Sequence, residues 1–295
     1  MNISFEYYRI FYYVAKYENI TKAAMVLKSS QPNVTRIIHL LEDQLDCRLF
    51  LREPRGLKLT EEGKRLYDHV AIACQHLLDA EAELCWNKNI CSGTIELGVT
   101  ETALHLFLLK HLHGFQQKYS DIKIRIQNNT TPGILKALLN GRLDLAIVTT
   151  PFELNDTFAC EDLMTFREVP AGGSEYRALA GHPMSLKEFR FHSIIGLGYG
   201  TASYEYYRKV FMEQKLDYEP AMEVATADLV IPLLQNNLGV GFIPEPLAAP
   251  FFEGQSLVPL SLNVPLPSRD VKMLWDKSLS QSRAAATFCD YLRSL

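Results

Sequence analysis

The chain has 295 residues, 47% of them hydrophobic and 22% charged, and carries a net charge of −4. That length has room for two or three domains, and the apolar-to-charged balance is that of a soluble globular protein. It excludes a uniformly basic nucleic-acid binder, and no run approaches the roughly 18 uninterrupted apolar residues of a membrane helix.

The charge is uneven. Residues 1–60 carry nine Lys/Arg against six Asp/Glu, and the remainder 21 against 28. A modestly basic head on an acidic body predicts DNA contact confined to the N-terminal module. The opening MNISFEYYRI has no basic patch followed by an apolar core, so it does not read as a signal peptide, and a cytoplasmic location is expected.

Residues 3–16 predict a helix, with Tyr7, Ile10, Phe11 and Val14 on one face. Thr21–Leu41 predicts two short helices and a tight turn. Thr21 is a candidate cap, and Ala23, Ala24 and Leu27 give the first helix an apolar stripe. Gln31 and Pro32 open the second, where the missing N–H of proline costs nothing. Val34, Ile38, Leu41 and Leu45 make its buried face. Asn33, Thr35, Arg36 and His39 fall outside, a donor-rich set suited to base edges and phosphates. An ordinary αα-hairpin with a solvated face fits the same spacing. Two apolar runs around Glu53-Pro54-Arg55-Gly56 predict a β-ribbon that sets Arg52, Arg55 and Lys58 against a phosphate backbone. From Glu61 to Asn87 the pattern predicts a helix roughly 40 Å long. Leu66, Val70, Ala73, Leu77, Ala80 and Leu84 phase as a heptad seam, which favours pairing with a second copy.

The residues Phe11-x-x-Val14-Ala15, Thr21-Lys22-Ala23-Ala24-x-x-Leu27, Ser30-Gln31-Pro32-Asn33-Val34-Thr35, Leu41-Glu42-x-x-Leu45, Leu49-Phe50-x-Arg52, Arg55-Gly56 and Leu59-Thr60-x-x-Gly63 stand in a gap-free order. This stretch resembles the winged helix-turn-helix of the LysR-type transcriptional regulators. Asp46 departs from it, standing where that family usually has Gly at a left-handed helix end. The candidate DNA-contacting residues are thus Thr21, Gln31, Pro32, Asn33, Thr35, Arg36, His39, Arg52, Arg55 and Lys58.

After Ser92-Gly93, strands and helices alternate, which predicts parallel sheet with helices on both faces. The first unit is strand Thr94–Val99, helix Thr102–Lys118, strand Ile122–Gln127, helix Pro132–Asn140 and strand Leu143–Val148. The second has strand-like Leu163–Val169 and Arg177–Ala180, strand Ser193–Leu197, helix Ala202–Lys215, strand Ala221–Ala225, helix Ala227–Asn236 and strand Val240–Ile243. Strand Val271–Trp275 and helix Ser280–Leu292 close the chain. Gly196-Leu197-Gly198-Tyr199-Gly200-Thr201 predicts a Gly-rich turn rather than a complete dinucleotide fingerprint.

Asn140–Ile147 and Asn237–Pro244 are similar to the same family's effector domain, though less closely. The resemblance implies an α/β chain with an N-terminal all-α, winged helix-turn-helix domain over residues 1–60 and a dimerising linker helix over 61–91. A periplasmic-binding-protein-like, two-lobed α/β effector domain follows over 92–295. Lobe I would comprise 92–161 and 266–295, and lobe II 162–265, with crossovers near 150–162 and 263–269.

In open α/β sheets, ligands bind beyond the carboxyl ends of strands. Four hydroxyl-rich loops qualify: Thr100-Glu101-Thr102, Asn129-Thr130-Thr131, Gly198 to Ser203, and Thr226. The candidate effector-binding residues are Thr100, Glu101, Thr102, Thr130, Thr131, Gly198, Gly200, Thr201 and Thr226. They suit a small polar effector, and Glu101 argues against a plain anion. Each threonine taken singly also fits an N-cap.

The six cysteines show no CxxC spacing and read as reduced thiols, with a redox switch through Cys160 and Cys289 as the alternative. His105, His111 and His113 have no ligands at matching spacing, so no metal and no cofactor are expected. No nucleophile elbow or paired carboxylates support catalysis. A solute-binding or enzymatic domain without a DNA role is a further alternative. The expected partners are double-stranded DNA, a small-molecule effector and further copies of the chain as a homodimer or homotetramer; RNA polymerase is a candidate and a membrane is not.

Overall fold

The computed structural model describes residues 3–53, 56–85, 93–279 and 281–295. The chain divides into two compact units, Met1–Lys88 and Asn89–Leu295.

The N-terminal unit is built on helices Phe5–Tyr17, Ile20–Val26 and Gln31–Leu45. Phe11, Val14, Ala23, Val34 and Leu41 are fully buried between them. The cap of the second helix is Asn19, whose side chain accepts from Lys22 N–H. Thr21 lies one residue inside that helix and does not cap it, because the helix begins at Ile20, two residues earlier than a cap at Thr21 would set it. Ser30 caps the third helix, and Asp46 ends it at φ +51°, the left-handed position expected for it. Strands β1 (Phe50–Glu53) and β2 (Gly56–Leu59) pair antiparallel as the ribbon.

Helix Glu61–Cys85 follows at once. Gly63 permits this: a Cβ there would stand 2.1 Å from the carbonyl oxygen of Leu49. Val70 and Cys74 are buried in the core of the same unit, with Leu66, Tyr67 and Ala71 packed beside them. The heptad seam is therefore not one continuous free stripe. Leu66 and Val70 lie against the domain's own core while Ala73 is exposed, and the large apolar groups left outward among the described residues are Leu77 and Leu78, 48% and 38% exposed. The side chains of Ala80 and Leu84 lie outside the described residues.

The C-terminal unit holds two five-stranded sheets. The first contains β3 (Gly93–Val99), β4 (Ile122–Asn128), β5 (Leu145–Thr149), β6 (Phe158–Phe166) and β12 (Arg269–Asp276), in the order β4-β3-β5-β12-β6. The second contains β7 (Glu168–Gly172), β8 (Ile194–Leu197), β9 (Met222–Val224), β10 (Val240–Pro244) and β11 (Val258–Pro259), in the order β11-β7-β10-β8-β9. β3 runs parallel to β4 and β5, and β8 parallel to β9 and β10. β12 runs antiparallel to both its neighbours, as does β7. Both sheets are thus mixed, where alternation alone predicts parallel ones.

Four local expectations change. The single strand expected over Leu163–Val169 is the end of β6 and the start of β7, which belong to different sheets. The chain passes between sheets at Arg167 rather than near 150–162, and it returns between β11 and β12. Ser174–Leu179 is a 3-10 helix instead of a strand, and Tyr176 packs back onto Gly172. The helix expected over Thr102–Lys118 contains a π turn, Leu104–Leu108. Helix Arg283–Arg293, capped by Ser282, buries Phe288 and Cys289 against the first sheet's core.

Candidate functional site

Two surfaces emerge. On the N-terminal unit, Gln31, Pro32, Thr35, Arg36, His39 and Asp43 line a shallow concave strip along the third helix. Thr35 Oγ1 donates to the carbonyl of Gln31 at 3.0 Å, and Arg36 Nη2 donates to Asn33 Oδ1 at 3.1 Å. Asn33 Nδ2 in turn donates to Ser29 Oγ. This chain of bonds leaves Arg36 exposed at its outer end. His39 Nδ1 stands 3.3 Å from Glu42 Oε2. Thr21 is exposed on the neighbouring helix. Lys58 is exposed on β2; the Arg52 side chain and all of Arg55 lie outside the described residues.

Sequence reasoning missed a buried carboxylate here. Glu42 is 4% exposed, and its Oε1 accepts from Leu49 N–H at 2.8 Å and Phe50 N–H at 3.3 Å. Its Oε2 accepts from Arg48 Nη1 at 2.9 Å. Burial alone would raise this carboxyl, but the Leu49 N–H, the Arg48 guanidinium, the Phe50 N–H and the His39 ring together hold it below its ordinary value. Glu42 was visible only as one letter of the motif. Its task is to fasten the start of the β-ribbon to the third helix.

On the C-terminal unit, the loops beyond β3, β4, β8 and β9 meet in one cleft of about 320 Å³. Thr100, Glu101, Thr102, Thr130, Thr131, Thr201 and Thr226 all line it. Gly198 and Gly200 do not appear in its wall. In that turn Gly200 stands at φ +83°, the left-handed region that favours glycine, and just before it, within β8, a Cβ on Gly196 would stand 2.2 Å from the Tyr218 hydroxyl. Asn128, Thr149 and Ser203 also line the cleft. Thr149 ends β5, a fifth strand end that follows from the same rule.

The threonines separate by their bonds. Thr130 Oγ1 accepts from Gly133 N–H and Thr201 Oγ1 from Tyr204 N–H, so both are helix caps. Thr131 Oγ1 donates to the Thr149 carbonyl. Thr100 and Thr226 stand at N-cap positions but make no side-chain cap bond. Thr100 Oγ1 is buried and has no hydrogen-bond partner. Glu101 is engaged twice, with His105 Nε2 at 2.7 Å and Asn128 Nδ2 at 2.9 Å.

Behind the cleft lies Arg269, 1% exposed. Its Nε donates to the Thr150 carbonyl at 2.7 Å, and its Nη1 to Glu168 Oε1 at 2.5 Å and Ser203 Oγ at 3.1 Å. Its Nη2 donates to Thr149 Oγ1 at 3.2 Å. The guanidinium lies over the Tyr206 ring, 5.0 Å from its centre. Arg269 opens β12 on the return crossover, and Glu168 opens β7 on the outward one. One side chain therefore ties both crossovers to the first turn of helix Ala202–Glu213.

Burial pushes the Cys160 thiol up and the Cys289 thiol to about 11, so neither is a thiolate near neutral pH. Among the described residues no group of three or more His, Cys, Asp or Glu could hold a metal ion, and no helix is long and apolar enough to cross a membrane.

Residues 5–64 match the model of the bacterial regulatory helix-turn-helix protein, lysR family, and residues 91–295 that of the LysR substrate binding domain. The chain is 25% identical over 289 residues to the HTH-type transcriptional regulator YofA of Bacillus velezensis, covering 97% of this chain and 96% of that one. Among solved structures it is similar to the probable transcriptional regulator PA0477 of Pseudomonas aeruginosa, with TM-score 0.70, 19% identity and coverage of 99% and 97%. It is also similar to CbnR, described as a LysR family transcriptional regulator, with TM-score 0.69, 16% identity and coverage of 99% of each chain.

Proposed function

Because this chain belongs to the LysR family of transcriptional regulators, we propose that it reads its operator with the outer face of helix Gln31–Leu45 and answers to a small polar metabolite held between its two lobes. Regulators of this family bind DNA and small-molecule effectors and form oligomers. The finer assignments rest on this chain's own residues.

Arg36 is the residue we place on a base edge, supported by its tether to Asn33 and its exposure. Arg36→Ala is expected to weaken operator binding by about 1–3 kcal/mol while non-specific DNA binding changes little. Electrophoretic titration against operator and scrambled duplexes measures both. Wild-type operator affinity in the mutant would remove Arg36 from the reading surface.

We place the dimer contact at the outward half of helix Glu61–Cys85, since Leu77 and Leu78 are exposed there. Leu77→Asp sets a charge into that contact and is expected to lower the sedimenting mass at micromolar concentration. An unchanged mass moves the interface elsewhere. The regulatory domain is a second contact in a tetramer, RNA polymerase is the partner an activating form would meet, and the cytoplasm is where such a chain would act. We assign it no catalytic step.

The observation that carries the effector reading is the convergence of the hydroxyl loops on one cleft, with Thr100 Oγ1 buried and unpartnered in it. Thr100→Val keeps the volume and removes the hydroxyl. It is expected to weaken the effector by about 0.5–1.5 kcal/mol, several-fold in affinity, at unchanged operator binding. Thr201→Val removes a cap instead, and is expected to cost about 1 kcal/mol of stability with less effect on affinity. Calorimetry with the metabolite identified from the genes beside the operator separates the two. If Thr100→Val binds that metabolite as the wild type does, the cleft is not the sensor.

A further inference from the structure

A second cavity of about 400 Å³ adjoins the polar cleft. The two share Glu101, Thr102, Leu197, Ser203 and Ala227 in their walls. Elsewhere its lining is largely apolar, with Val230, Ile231, Phe242, Leu247 and Phe251 among the residues that face it, and His105, Glu168, Asp228 and Gln235 add polar groups. The π turn Leu104–Leu108 carries His105 to its rim, and such turns recur at functional sites.

One buried acid interrupts the apolar wall. Glu168 is 4% exposed, and Arg269 satisfies its Oε1 alone. Its Oε2 is buried and has no hydrogen-bond partner. A buried carboxylate oxygen left without a donor is costly, and such exceptions call for an explanation. Arg269 already balances the charge, so the missing partner is a neutral donor rather than a cation. An anion would meet the carboxylates of Glu101 and Asp228, which also line the cavity, and be repelled by them.

We propose that this cavity is a second ligand site, and that it takes an uncharged, largely apolar molecule with one hydroxyl, of the size of a substituted phenol, donating to Glu168 Oε2. Its volume lies in the range of small-molecule pockets, and a largely apolar wall with a few placed polar groups is their usual composition. His105 and Thr102 face it from the lobe of β3 and Phe242 and Leu247 from the lobe of β10, so occupancy bears on the spacing of the lobes. The site does not depend on what the polar cleft binds.

The test is calorimetric titration of the full-length chain with para-ethylphenol, para-ethylanisole and para-ethylbenzoate. The phenol is expected to bind saturably at one per chain. The ether lacks the donor and is expected to bind about tenfold more weakly, as for one hydrogen bond to a charged acceptor. The carboxylate is expected not to bind. Ile231→Trp fills the cavity and is expected to abolish phenol binding. Glu168→Gln turns an amide to the cavity and is expected to erase the preference for phenol over ether. The proposal is overturned if the phenol does not saturate, if phenol and ether bind alike in the wild type, or if Ile231→Trp keeps wild-type affinity. Should either variant fail to fold, the phenol-to-ether ratio in the wild type decides alone.

Discussion

Arg269→Met is expected to destabilise the C-terminal unit by about 3–5 kcal/mol, because it leaves the Glu168 carboxylate buried without its counter-charge. The substitution removes every bond that Arg269 makes across the crossovers, to Thr149, Thr150, Glu168 and Ser203. The double variant Arg269→Met, Glu168→Leu deletes both charges and is expected to recover most of the loss, since a buried pair replaced whole by apolar groups is often near neutral. Scanning calorimetry of the full chain reads both. A single variant as stable as the wild type would mean that the pair does not hold the crossovers. The recovery also separates structure from signalling. The double variant should fold well yet transmit effector binding poorly, because the apolar substitutes lack directional bonds across the hinge.

What the sequence makes legible is what repeats locally. Helix faces recur every three or four residues, so the third helix and its outward Arg36 can be placed from spacing alone. Strand ends follow from alternation, and with them the threonine loops. The converging cleft then follows from a rule about parallel strands rather than from any single residue. Arg269 and Glu168 are 101 residues apart and have no pattern in common, so nothing local announces the pair. The strand orientation of β12 is likewise silent, because parallel and antiparallel strands of the same burial carry the same residues. The passage at Arg167 is hidden for a related reason. β6 and β7 have similar strand character, with one residue between them, and only pairing partners distinguish two strands from one. Thr21 and Asn19 show the same limit at the scale of a cap, since both side chains can serve and the structure uses the earlier one.

Glu42→Ala is expected to cost the N-terminal unit about 3 kcal/mol, from one side chain that touches no DNA in the proposed complex. The variant leaves the Leu49 and Phe50 N–H groups without their acceptor and frees Arg48. Hydrogen bonds to a charged group are each worth about 1.5–3 kcal/mol, and part of that is recovered as water enters beside the truncated side chain. The loss has a pH signature. The folded carboxyl titrates below its ordinary value of 4.5, so its contribution is complete above that pH and disappears as pH falls through the lower folded value. The gap between wild type and variant should therefore be constant near neutrality and close in acid. Urea unfolding followed at several pH values tests this, and a gap that widens on acidification would contradict the assignment. Because Leu49 and Phe50 lead into β1, the same change should loosen the β-ribbon. Operator affinity should fall even though the outer face of the reading helix keeps every residue, and Glu42→Gln, which retains one acceptor oxygen, should restore part of both stability and affinity.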